Sequence, residues 1–373
     1  MNLNKNQKAF LALVRAGLFP VHGEGNLEIR IDGNTDWQKV YQLATEQSVQ
    51  GLVLAGLEHS DVKPPQVLLL QWIGEVQMIE QRNRAMNAFI ADLIQRLRNE
   101  DIYTLLVKGQ GVAQCYERPL WRAAGDIDFY LSKDNYEKAK TFLTKIASSV
   151  DEEDRRRMHL GMTIERWVVE LHGTMYTEIS NRINKGLDDV EDDLFYRGSV
   201  RNWINGNVQI FLPSADNDIV IVFTHFLGHF YGQGIGLRQI CDWCRLLWTY
   251  RESLNFGLLE SRIKMMGVMS EWKAFGALAV EFLGMPEEMI PFYKKTKSNS
   301  RKAKRILDIV LTTGNMGHNK DGSYRVKYAP FKRNVMTFWR RAGEFARISM
   351  IFPLNAVGFF ITYVKARVRS LYM

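Results

Sequence analysis

Cysteine is scarce in this chain: Cys115, Cys241 and Cys244 are the only ones in 373 residues, too few for a disulfide framework. The opening residues Met1-Asn2-Leu3-Asn4-Lys5 also lack the apolar core and small-residue cleavage site of a secretory signal. Together these absences point to a reducing cytoplasm. Long apolar runs are missing too. The longest uncharged stretch, residues 348–364, is broken by Pro353, Asn355 and Gly358 and falls short of the roughly 20 residues a membrane-crossing helix needs, so no transmembrane segment is expected. No repeat of fixed period is visible, which sets aside solenoids and propellers. Strong charge of one sign is absent as well. The 49 basic and 41 acidic residues leave +8, which mildly favours phosphate-bearing partners but is far below the charge density of a dedicated nucleic-acid binder.

What is present is ample apolar material. Hydrophobic residues make up 46% of the chain and aromatics 12%, enough for a packed core in two or three units and against a disordered chain. Three regions follow from the patterning: a helical N-terminal region (1–99), an α/β core (100–212) and a helical C-terminal region (213–373). In the first, helices are expected over residues 7–16, 37–46 and 65–99, the last opened by Pro65, a residue tolerated in a first turn. In the second, strand-like runs at 102–107, 126–131, 165–172 and 208–212 alternate with helical stretches such as 112–116 and 135–146, the latter with Asp134 as its cap. The acidic run 188–193, neutral only at Val190, is expected as a solvated loop or helix start. In the third, helices are expected over 214–230 and 237–250, and the turn 314–319 is read as a connector.

Carboxylates carry the chemistry. In a strand, side chains two apart share a face, so Asp126 and Asp128 project together while Ile127 and Phe129 enter the core. Two adjacent carboxylates repel unless a cation lies between them, and magnesium, which takes oxygen ligands and completes its shell with water and phosphate, is the natural choice. A third acid, Glu170, sits in the apolar run Trp167-Val168-Val169-Glu170-Leu171-His172, where a partner is required to offset its burial. His172 shares its face. Upstream, Lys108 and Gly109 close a buried strand before a helix, an arrangement in which backbone amides and an ammonium meet phosphate. Gly125 precedes the first aspartate, and Arg122 lies four residues before it, within reach of the same phosphates or acids.

These residues resemble the DNA polymerase beta-like nucleotidyltransferases, whose signature is a strand ending in glycine, a helix, and an Asp-hydrophobic-Asp pair. More narrowly, Lys108-Gly109, Arg122, Gly125-Asp126-Ile127-Asp128 and Glu170-Leu171-His172 are similar to the uncharacterised nucleotidyltransferase family of type 5. The stretch His225-Phe226-Leu227-Gly228-His229, with Arg238 and Asp242, is similar to the helical C-terminal part of that family. The resemblance implies an α+β fold: a mixed β-sheet core with flanking helices, plus helical regions before and after it. It also implies two magnesium ions (Mg2+) held by Asp126, Asp128 and Glu170, and a nucleoside triphosphate met by Lys108, Gly109, Arg122 and Gly125. The implied reaction moves a nucleoside monophosphate to an acceptor and releases pyrophosphate. The acceptor, whether small molecule, protein or RNA, is left open, with His172, His225, Arg238 and Asp242 as candidate contacts. Gln110 stands where the superfamily usually places serine or glycine, and the gap to Asp126 is longer than usual.

Several other readings stand beside this one. The Gly125-Asp126 pair fits a strand-entry turn. His225 and His229, four apart, fit a hydrogen-bonded core pair, or with Cys241 and Cys244 a zinc set. Arg238 and Asp242 fit an i,i+4 ion pair. From Arg325 onward ten Lys and Arg residues face the single acid Glu344, among Phe331, Phe338, Trp339, Phe345 and Phe352. Such a tail fits the wet face of core-packed helices, or contact with a membrane surface or nucleic acid. A non-catalytic binding or antitoxin-like module on the same fold is the alternative to an enzyme.

Overall fold

The computed structural model describes residues 3–19, 29, 31–232, 234–317, 319 and 330–369. It opens with four helices, α1 (Lys5–Leu18), α2 (Trp37–Glu46), α3 (Gln50–Leu57) and α4 (Gln66–Asn99). Pro65 is the residue before the first turn of α4, with an extended ψ of 141°. Helix α3 pairs with α1 at backbone contact: a Cβ on Gly17 would meet the Leu52 carbonyl oxygen at 2.0 Å, and one on Gly56 would meet that of Leu13 at 2.0 Å. Only glycine admits that approach.

The α+β core is a seven-stranded mixed sheet ordered β3-β4-β5-β2-β1-β7-β6. Its strands are β1 (Leu105–Val107), β2 (Ile127–Tyr130), β3 (Ser149–Val150), β4 (His159–Ile164), β5 (Trp167–His172), β6 (Val200–Asn205) and β7 (Val208–Pro213). Strands β2 and β5 run parallel, as do β1 and β7, while the other neighbours are antiparallel. Between them lie α5 (Gly109–Ala113), α6 (Lys133–Leu143) and α7 (Asn181–Phe195). The expected strand at 165–172 is the second arm of a hairpin, and Glu165, at φ 56°, belongs to its turn. Ser132, not Asp134, is the N-cap of α6, leaving Asp134 in the first turn. The acidic run 188–193 is neither loop nor helix start but the second half of α7. That helix buries Ile183, Leu187, Val190 and Leu194 at helical spacing, while Arg262 lies 2.8 Å from Asp189 and 3.3 Å from Asp193.

The chain then continues as α8 (Ala215–Tyr231), α9 (Leu237–Tyr250), α10 (Phe256–Met266), α11 (Met269–Leu283), α12 (Lys297–Thr313), α13 (Pro330–Ser349) and α14 (Pro353–Arg369). Two apolar clusters hold it together. In one, the C-terminal half of α4 (Met86, Phe89, Ile90, Leu93, Leu97) and Tyr136 and Leu143 of α6 cover the sheet around Phe129, Val169 and Leu171. In the other, α1–α3 and the start of α4 pack with α8, α9, α11 and α12. Its centre is an aromatic nest in which Phe223 lies 4.9 Å from Trp272 and Trp243 4.8 Å from Trp272 between ring centroids. Helix α8 buries most of its circumference there, and His225 and His229 occupy its remaining face.

In the basic tail, Phe352 is buried against Phe230 and Phe345 stacks on Phe360, whereas Trp339 is exposed. The side chains of Phe331 and Phe338, and residues such as His318 and Arg325, lie outside the described residues. No helix among the described residues is long and apolar enough to cross a membrane.

Candidate active site

A cavity of about 480 Å³ opens where the ends of β1, β2 and β5 meet α8 and α9. Each wall follows from local structure. Asp128 pairs with Val107 on one side and Glu170 on the other, so the end of β1 and both acids are neighbours by strand register alone. Asp126 directly precedes β2, two residues from Asp128 and on its face. As a result the carboxylate oxygens of Asp126, Asp128 and Glu170 lie within 4.8 Å of one another.

Lys108 directly follows β1 with φ 56°, a conformation disfavoured for any residue with a Cβ, and Gly109 comes next at φ 36°. This turn sends the Lys108 ammonium into the cavity, 2.7 Å from Asp128 Oδ1. Both groups are nearly dry. Burial works against both charges and is the largest single influence on each, but the surrounding charges together prevail: Asp128 with Tyr130 and Asp126 hold Lys108 above its ordinary value, and Lys108 with His172 hold Asp128 below. Asp126 shifts the opposite way, raised first by the Asp128 charge and then by burial. His172 Nε2 is 2.9 Å from Asp128 Oδ1 and 3.4 Å from Glu170 Oε2, while His159 Nε2 is 3.2 Å from the same Glu170 oxygen. Hydrogen bonds from His159, then His172, keep Glu170 well below the carboxylate range. Burial lowers His172, yet its bonds to Asp128 and Glu170 prevail and raise it.

On the helical side, Lys108 Nζ lies 3.5 Å from His225 Nδ1, and His225 Nε2 lies 3.0 Å from His229 Nε2. An ammonium can only donate, so Nδ1 accepts and the His225 proton sits on Nε2, directed at His229. Burial, then Lys108, lowers both rings, His229 to about 4. The zinc set is not assembled. Cys241 and Cys244 are fully buried among α9 side chains, and the two metal-capable clusters among the described residues, Asp126-Asp128-Glu170 and His159-Glu170-His172, include neither cysteine and neither His225 nor His229.

Arg122 lines the cavity, but its fork is committed: Nε and Nη2 each lie 2.7 Å from an oxygen of Asp242, and Tyr116 donates to Asp242 at 2.7 Å. Its Nη1 is buried without a partner. Asp242 therefore makes no i,i+4 pair with Arg238. Arg238 instead donates from Nη1 to the Ala123 carbonyl at 2.6 Å, and its Nε is buried and unpartnered. Gly125 lines the cavity with open space where a side chain would stand. Gln110 turns away from the cavity. Its amide donates to Asn83 Oδ1 at 2.8 Å, and Asn83 in turn donates to the carbonyls of Leu120 and Arg122 at 2.8 Å each. The long segment before Asp126 is thus pinned to α4, with Arg82 holding Ala124 and Gly125 at 3.0 and 3.2 Å.

A strand end bearing three convergent acids, faced by a buried lysine, is the arrangement the Lys-Gly and Asp-Ile-Asp segments lead to. A family model described as uncharacterised nucleotidyltransferase matches residues 33–284. The chain belongs to this nucleotidyltransferase family. No curated protein and no solved structure matches it. The match covers the whole sheet and the helices α2–α11, and so supports nucleotidyl transfer in general terms. Helices α13 and α14 lie beyond it, yet Arg341 and Phe359 reach the cavity wall. Sequence reasoning did not single out His159 or Arg341. His159 stands at the head of a short apolar run, and its value comes from pairing opposite His172.

Proposed function

We propose that this nucleotidyltransferase is magnesium-dependent and moves a nucleoside monophosphate from a nucleoside triphosphate to an acceptor hydroxyl, with release of pyrophosphate. The observation that carries the proposal is the convergence of Asp126, Asp128 and Glu170 within 4.8 Å on the cavity floor. Three carboxylates on adjacent backbone segments form an all-oxygen donor set, which fits a hard divalent cation. Bound there, magnesium supplies charge neutralisation and alignment for an in-line displacement at phosphorus.

The chain's own residues do the rest. Lys108 presents a point charge, Gly109 makes the turn that aims it, Gly125 leaves room for phosphate to approach backbone, and the unpartnered nitrogens of Arg122 and Arg238 offer N–H groups to oxygen. Glu170, held ionised by two histidines, acts at the acceptor hydroxyl through its charge and as a ligand rather than through basicity, and Asp126, raised by the Asp128 charge and by burial, is the stronger base of the three. Choice of acceptor, be it small molecule, protein or RNA, falls to the helical region 213–373, which builds the opposite wall. The three cysteines are unpaired and buried, in keeping with a reducing cytoplasm.

A second reading, a nucleotidyltransferase-fold binding module without turnover, draws on one observation: Lys108 and His172 already neutralise Asp128. One experiment separates the two. Each labelled nucleoside triphosphate is incubated with magnesium and either the parent protein or the variant carrying Asp126→Asn and Asp128→Asn. Label transfer or pyrophosphate release by the parent, lost in the variant, is expected. Absence of both from the parent with all four nucleotides, together with salt-sensitive RNA binding, would favour the binding module.

A further inference from the structure

A second group of side chains on the cavity floor has the make-up of a metal site. The β4–β5 hairpin sets His159 directly opposite His172, with Glu170 two residues before His172 on the same face. The ligand atoms of the three lie within 4.8 Å of one another. Their hydrogen bonds are long for charged partners. His159 Nε2 and His172 Nε2 stand 3.2 and 3.4 Å from the same Glu170 oxygen, whereas such bonds run about 2.7–2.9 Å. The edge of a tetrahedron around an ion bound at about 2.0–2.2 Å is, by contrast, about 3.4 Å.

We propose that His159, Glu170 and His172 form a nitrogen-containing site for a divalent transition metal of the zinc type, distinct from the all-oxygen set formed with Asp126 and Asp128. Imidazole selects borderline ions over magnesium. Two neutral rings and one carboxylate leave a net charge of about +1 on a bound divalent ion, and the fourth position opens on the cavity. Ligation through His172 Nε2 needs the ring neutral with its one proton on Nδ1, so the proton now directed at Asp128 moves to Nδ1 from a neutral ring or leaves to solvent from a charged one, while Asp128 keeps its contact with Lys108. Glu170 is common to both donor sets, so an ion at the histidines fixes the carboxylate that the acidic set also uses.

The test uses the full chain, stripped with a chelator and titrated with Co2+ in excess Mg2+ while visible ligand-field absorption is followed. One equivalent of Co2+ is expected, with the strong band of a low-coordinate nitrogen site, displaced stoichiometrically by Zn2+. His159→Gln should weaken Co2+ binding by more than the roughly hundredfold loss that follows removal of an outer-shell partner. Asp126→Asn should leave the Co2+ titration unchanged while abolishing nucleotide transfer, so this proposal and the proposed function can fail separately. In the parent chain, Zn2+ should shift the imidazole resonances of His159 and His172, a reading that does not depend on any variant folding. The proposal is overturned if Co2+ gives only a weak octahedral band lost to Mg2+, if His159→Gln binds Co2+ as tightly as the parent, or if the shifted resonances belong to His225 and His229.

Discussion

Replacing Asp242 by Asn withdraws the carboxylate that Arg122 grips with two nitrogens at 2.7 Å each. The side chains are only 5% and 7% exposed, so water cannot take over the lost charge. Removing one partner of such a buried pair costs about 3–5 kcal/mol, because the remaining ion stays desolvated. The value should fall near the lower end, since the Asn oxygen can still accept from Tyr116. Urea denaturation followed by tryptophan fluorescence reports the change as a lower midpoint at constant slope. Trp243, on α9 beside Asp242, provides a local probe. Replacing both partners with apolar residues, Arg122→Met with Asp242→Leu, removes the stranded charge and should recover most of the loss. The reasoning is refuted if Asp242→Asn lies within about 1 kcal/mol of the parent, or if the double variant is no more stable than the single one.

Other outcomes follow from the same geometry. Asp128→Asn should lower nucleotide transfer by roughly a thousandfold or more, as befits loss of several kcal/mol at a metal ligand, measured as label transfer under saturating magnesium. His229 titrates at about 4 in the folded chain against 6.5 unfolded, so between those values the unfolded chain binds more protons and stability falls on acidification. That loss, up to about 3 kcal/mol, should be absent from the stability–pH curve of His229→Gln and present in the parent. Gly56→Ala forces a Cβ onto the Leu13 carbonyl across the α1–α3 contact and should destabilise by about 1–3 kcal/mol in thermal or urea melts.

Much of this architecture was legible locally. The 34-residue α4, the Asp126-Ile127-Asp128 strand and the helices α8 and α9 rest on periodicity that a window of the sequence contains. Strands β3, β4 and β6 were missed. Strands β3 and β6 are the two sheet edges, with side chains in or half in water, and β4, next to β3, is an apolar run with Gly161 inside it and an arginine-rich turn before it. The acidic run in α7 misled because its counter-charge, Arg262, lies some 70 residues away in sequence. For the same reason Arg122 could not be seen to belong to Asp242, 120 residues on, while the nearer Arg238 drew attention. Local spacing reveals which side chains share a face; it says nothing of which distant charge will meet them.

The Lys108 ammonium has one more consequence. Seated against Asp128 and near His225, it works as a built-in counter-ion for a trio of acids that would otherwise push β2 and β5 apart. The strands therefore stay zipped with no divalent ion between the three acids. A divalent ion held by the three acids would have to share Asp128 with this ammonium or take its place, so Lys108→Met should change the affinity for magnesium as well as for nucleotide.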